Sequence, residues 1–166
     1  MSEGELEHGQ LFFAHETPRE SQRRMIDDGI ETLKEGRFLL AAAPTGIGKT
    51  AAALASSLTV ANHYSFGKEI PKILFLTGRQ SQHRIVVDTI REINNRIPQG
   101  FSKIKLVDII GRRSMCKNVD SKGRCDCEQG VTEAERRFLR SGLEEFIHSK
   151  PMHVDQVLKK LSLIHI

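Results

Sequence analysis

The sequence predicts an α/β protein built on a parallel, doubly wound sheet. Three observations lead there. Short apolar runs alternate with segments of helical periodicity, the links between them are short, and a glycine-rich turn ending in Gly48-Lys49-Thr50 stands where one such run passes into a helix.

Each element follows from its residues. Residues 1–14 lack periodicity and read as a loose, flexible arm, with Leu11, Phe12 and Phe13 available to dock. Thr17-Pro18-Arg19-Glu20 reads as a helix start: Thr17 as N-cap, proline in the first helical position, glutamate closing a capping box. Met25, Ile26, Ile30 and Leu33 then recur at helical spacing, and Gly36 stands where a left-handed C-cap residue belongs. Residues 38–43 form an uninterrupted apolar run and read as a strand buried on both faces. After the glycine turn, the alanine- and leucine-rich stretch from Lys49 to about Asn62 reads as a helix. Residues 73–77 read as a second buried strand and residues 104–110 as a third. Between these two, Ile85, Val86, Thr89, Ile90 and Ile93 mark an amphipathic helix ended by Pro98 and Gly100.

Beyond Ile110 the character changes. Residues 112–130 are polar, basic and cysteine-bearing, with no regular period. Thr132 and Glu135 form a capping box that opens a helix with Phe138, Leu139, Leu143, Phe146 and Ile147 on one face. Pro151 interrupts, and Val154, Val157, Leu158 and Leu161 continue as a shorter helix. A cysteine loop followed by helices, entered straight from a sheet strand, reads as an inserted subdomain. The expected division is an arm over 1–14, a partial sheet lobe over 15–111 and a partial insertion over 112–166. The chain is expected to be a fragment, with residues 163–166 not native to it.

Composition narrows the class. At 166 residues, 39% hydrophobic and 28% charged, the chain suits a soluble globular protein with one core, or one core plus an insertion. No apolar run approaches the roughly 20 residues that span a bilayer. The acidic start, with Glu3, Glu5 and Glu7, is no secretory signal. The expected compartment is cytosolic (nucleoid-associated in a prokaryote) or nuclear in a eukaryote, with no membrane partner. Three cysteines in a reducing compartment point to a metal rather than to disulfides. The net charge is only +4, but Lys103, Lys105, Arg112, Arg113, Lys117, Lys122 and Arg124 face only Asp108 and Asp120 within residues 103–124. That local excess suits a phosphate backbone, or equally a solvated basic face.

The segment Ala43-Pro44-Thr45-Gly46-Ile47-Gly48-Lys49-Thr50 carries the chemistry. It meets the Walker A pattern except at its first position, where Ala43 replaces glycine. Gly46 and Gly48 allow backbone conformations that turn successive N–H groups towards a β-phosphate. The helix beginning near Lys49 adds its positive end. Lys49 places a point charge against the β- and γ-phosphates, and the Thr50 hydroxyl would coordinate Mg²⁺. These residues point to a nucleoside triphosphate.

With these motifs in place, the sequence resembles the XPD-like family of superfamily 2 DNA helicases over nearly its whole length. Pro18-Arg19-Glu20-Ser21-Gln22 is similar to that family's adenine-reading element, which implies that Gln22 selects ATP. Leu76-Thr77-Gly78-Arg79-Gln80-Ser81-Gln82 resembles its strand-end motif, implying that Thr77, Arg79 and Gln82 contact single-stranded DNA; a plain helix cap explains the segment equally well. Gly111-Arg112-Arg113-Ser114-Met115-Cys116 resembles the entry to the iron–sulfur insertion. It implies Cys116, Cys125 and Cys127 as three ligands of a [4Fe–4S] cluster, with Arg112 and Arg113 near the DNA. Read by residues alone, the cysteines fit zinc as well, with His148 or His153 completing a Cys₃His site.

The resemblance implies a RecA-like P-loop lobe with a mostly helical iron–sulfur insertion. It also implies an ATP-dependent 5′–3′ helicase acting on single-stranded and forked DNA, with repair as the expected setting. The alternative is a non-helicase P-loop ATPase carrying a structural zinc module. The family's Asp-Glu-x-His carboxylate box does not occur in these 166 residues, so weak nucleotide binding without turnover is expected of them.

Overall fold

The structure, a computed structural model, describes residues 12–63, 71–97, 99–100, 102–111, 121–122 and 132–164. The side chains of Arg136, Leu139, Arg140 and residues 160–164 fall outside that description. The described residues carry five helices: α1 (Glu20–Lys34), α2 (Lys49–His63), α3 (Gln80–Arg96), α4 (Glu133–Ser149) and α5 (Val154–Ile164).

Helix α1 starts later than its sequence suggests. Arg19, extended at φ −63° and ψ 158°, is the N-cap, and Pro18 and Thr17 precede the helix. The box is closed by Gln22 instead of Glu20, its Oε1 accepting the Arg19 N–H at 3.0 Å. The far end follows expectation. Gly36 has φ +65°, its N–H reaches the Leu33 carbonyl at 3.2 Å, and the Arg37 N–H reaches the Thr32 carbonyl at 2.9 Å. This pair of bonds is a Schellman motif, and it satisfies carbonyls that the helix itself leaves open.

Helices α1 and α2 pack on each other. Their core joins Phe13, Ile26, Ile30, Ala51, Ala52, Ala55 and Val60, with Met25 at its edge. The small side chains of α2 let the axes approach closely. A Cβ built on Gly29 would stand 2.8 Å from Ser56 Oγ and 2.9 Å from Ser56 Cβ. Of the residues read as a loose arm, 12–14 fall within the description, and all three are buried. The Phe12 N–H donates to Thr59 Oγ1 at 3.3 Å, and the Phe12 ring meets His63 edge-on at 6.0 Å.

In α3 the covered face is Val86, Val87, Ile90 and Ile93, whereas Ile85 is exposed. The apolar stripe is thus shifted by one position from the reading that included Ile85. In α4 the Thr132–Glu135 box forms as expected. Phe138 is exposed, however, and Leu143, Phe146 and Ile147 are half-buried. At α5, Met152, Val154 and Val157 are buried.

The segments read as strands behave differently. Among the described residues the one β contact is an isolated parallel bridge between Val107 and Met152. Phe38, Leu40, Leu74 and Leu76 lie open, while Leu39, Ile73 and Phe75 are about half as exposed. The alternation has the period of extended chain, one face partly covered and the other bare. Burial on both faces, expected for 38–43 and 73–77, is therefore not found.

The chain gathers into two units. One takes in Met1–Gly78 and Asp88–Lys103, the other Arg79–Val87 and Ile104–Ile166. No helix among the described residues is long and apolar enough to cross a membrane.

Candidate nucleotide-binding site

The glycine turn lies in the first unit, between the non-helical residues 37–44 and α2. Gly46 and Gly48 both have φ +83°, the left-handed region that an L side chain resists. Lys49, the first residue of α2, folds back over the turn. Its Nζ donates to the Ala43 carbonyl at 2.9 Å and the Pro44 carbonyl at 2.7 Å. The ammonium thereby spans the loop it belongs to, holding it curved around a cationic centre.

The helix behind the loop suits an anion. Its first turn carries no acidic residue, and its ladder begins with the Ala52 N–H on the Gly48 carbonyl at 3.1 Å. The N–H groups before that bond have no acceptor within the helix, and the aligned peptide dipoles place partial positive charge there. Pro44, Thr45 and Gly46 are exposed, while Ile47, Gly48, Lys49 and Thr50 are half-buried. The loop is thus open on one side and backed by the helix on the other. The donor set fits a polyphosphate: oriented amides, a lysine and, in the same first turn, the Thr50 hydroxyl.

Gln22 comes to this loop from 26 positions before Gly48. It is buried, and its amide is lodged against Gly48, where an added Cβ would collide with Nε2. Its carbonyl oxygen is engaged by the Arg19 N–H, so the amide nitrogen is the end turned to the loop. The structure thus brings Gln22, Pro44, Thr45, Gly46, Ile47, Gly48, Lys49 and Thr50 into one region. The carbonyls of Ala43 and Pro44 are site atoms that the motif itself does not announce, because any residue supplies a carbonyl.

The other candidates are placed less fully. Thr77 is half-buried in the first unit. In the second unit Arg79 is exposed and Gln82 half-buried, the Gln82 N–H turning back onto the Arg79 carbonyl at 3.0 Å. Arg112, Arg113, Cys116, Cys125 and Cys127 lie outside the described residues. His148 is exposed, and His153 is drawn towards Asp108 and Asp155. Among the described residues no three potential ligands stand close enough to hold a metal ion.

No family model, curated protein or solved structure matches the chain.

Proposed function

We propose that the chain binds ATP at the Ala43–Thr50 loop, as the first RecA-like lobe of an ATP-dependent 5′–3′ DNA helicase of the XPD-like kind. The observation that carries this reading is the loop itself: two glycines at φ +83°, and Lys49 drawn across the curve they make. On this reading a triphosphate takes over Lys49 Nζ from the Ala43 and Pro44 carbonyls, while amides of the turn and of the α2 start receive the β-phosphate. Thr50 supplies a hydroxyl to Mg²⁺ and Gln22 contacts the base.

The same proposal assigns Thr77, Arg79, Gln82, Arg112 and Arg113 to a single DNA strand, gripped through its phosphates and largely without regard to sequence. Cys116, Cys125 and Cys127 would be thiolate ligands of a [4Fe–4S] cluster, which would stiffen the insertion against which a duplex parts. Zinc on the same thiolates, within a P-loop ATPase of another kind, is the competing assignment.

Equilibrium binding of MgATP tests the central claim. Charge-assisted bonds contribute about 1.5–3 kcal/mol each. Lys49→Ala should therefore weaken MgATP by roughly tenfold or more, at about 1.4 kcal/mol per decade. Absence of affinity in the unaltered chain, or equal affinity in the variant, would refute the proposal. Turnover by these residues alone would refute the narrower expectation of binding without hydrolysis.

A further inference from the structure

The second unit holds a carboxylate almost withdrawn from solvent. The Asp108 side chain is 5% exposed, and it is tied on both oxygens. Oδ1 stands 2.5 Å from His83 Nδ1. Oδ2 accepts the N–H of Val154, the first residue of α5, at 2.8 Å, and His153 Nε2 lies 3.8 Å from the same oxygen. His153 is itself engaged by the start of α5. Its ring Nδ1 accepts the Asp155 N–H at 3.3 Å and stands 3.2 Å from that residue's carboxylate, and its own N–H donates to Gln156 Oε1 at 3.2 Å.

A buried carboxylate is costly unless its oxygens are hydrogen-bonded, and severing one of its ties leaves a charge with poor compensation. Asp108 meets that cost by joining three separate pieces of chain. These are the first turn of α3 through His83, the extended segment that Asp108 belongs to, and the start of α5 with its positive helix end. His83 immediately follows Gln82, in the turn where the Gln82 N–H bonds the Arg79 carbonyl. The carboxylate therefore anchors from behind the segment that presents Arg79 and Gln82. Each oxygen already has a partner within the chain, which points to a mechanical role.

We propose that Asp108 is a positioning residue for single-stranded DNA: through His83 it fixes the Arg79–Gln82 turn to the start of α5, so that grip on a strand depends on a contact inside the helical unit. This rests on the assignment of Arg79 and Gln82 to DNA given above.

The test is binding of a labelled oligothymidylate across a salt series, for the unaltered chain, Asp108→Asn, Asp108→Ala, His83→Ala and the double alanine variant. Thermal melting and MgATP affinity are recorded alongside. Asp108→Ala should weaken the oligonucleotide at least about fivefold, a modest coupling between sites. It should also lower the salt slope by about 0.7, one phosphate contact on a single strand, with MgATP affinity unchanged. Asp108→Asn keeps an oxygen for the Val154 N–H and an amide for His83, and should retain most of the affinity. The double variant should be no weaker than Asp108→Ala alone, because both changes cut one link.

Unchanged affinity and slope in the two single alanine variants, or losses that add in the double variant, overturn the proposal. If Asp108→Ala does not fold, His83→Ala and Asp108→Asn carry the same comparison. An unaltered chain that binds MgATP but not the oligonucleotide removes the DNA assignment itself, and this proposal falls with it.

Discussion

Gly46 and Gly48 share a φ of +83°, yet their surroundings differ. A Cβ at Gly46 would meet nothing within 4 Å, whereas one at Gly48 would collide with Gln22 Nε2. Either alanine substitution carries the left-handed penalty of about 1–2 kcal/mol. Gly48→Ala must also displace a buried amide whose other end holds the Arg19 N–H, a hydrogen bond worth about 1 kcal/mol. Gly48→Ala should therefore lower the denaturation midpoint more than Gly46→Ala does. Removing the amide with Gln22→Ala should abolish the difference. Equal midpoints for the two glycine variants would show that Gln22 yields without cost. Gln22 thus has two roles in one side chain, closing the cap of α1 and filling the back of the loop.

At the scale of the element, the start of α4 ties pH to local order. Glu135 has its carboxyl held below the ordinary range, first by the Thr132 hydroxyl and then by the Thr132 N–H at 2.8 Å. A lowered folded value means that the box contributes above the ordinary carboxylate pKa and is lost as pH falls through the lowered one. Protection of the amides in the first turn of α4, taken as exchange relative to the intrinsic rate at each pH, should therefore fall on acidification. Glu135→Gln should remove that pH dependence, and an identical profile in both proteins would discount the box. The α1–α2 pair makes a different prediction. Alanine at Gly29 gains about 1 kcal/mol of helix propensity, but its Cβ would overlap Ser56, and overpacking costs about 1–3 kcal/mol. Gly29→Ala should lower the melting temperature, and adding Ser56→Gly should recover part of the loss.

For the whole molecule, the two units hold separate features: the glycine turn with Lys49 belongs to one, the Asp108 knot to the other. On the proposed reading, Cys116, Cys125 and Cys127 decide the metal chemistry. Reconstitution with iron and sulfide should give a brown protein with broad visible absorption, whereas zinc, with its filled d shell, should give a colourless one. Changing Cys116 to serine should bleach the iron form, and a chain that takes up zinc but no iron would favour the competing assignment. The sequence by itself determined the helices and the loop, because capping, Schellman closure and glycine φ are settled by residues a few positions apart. Thr132 with Glu135, Gly36, and Gly46 through Lys49 all behave as their neighbours dictate. It misplaced the start of α1, where Thr17 and Arg19 compete as caps within a few residues and the longer reach of Gln22 decides. Tertiary structure alone decided which faces are covered: Gln22 on Gly48, Phe12 on Thr59, and Asp108 between His83 and Val154, 25 and 46 positions away. The apolar runs at 38–43 and 73–77 belong with these, because a strand is completed by a neighbour and no run of residues supplies its own.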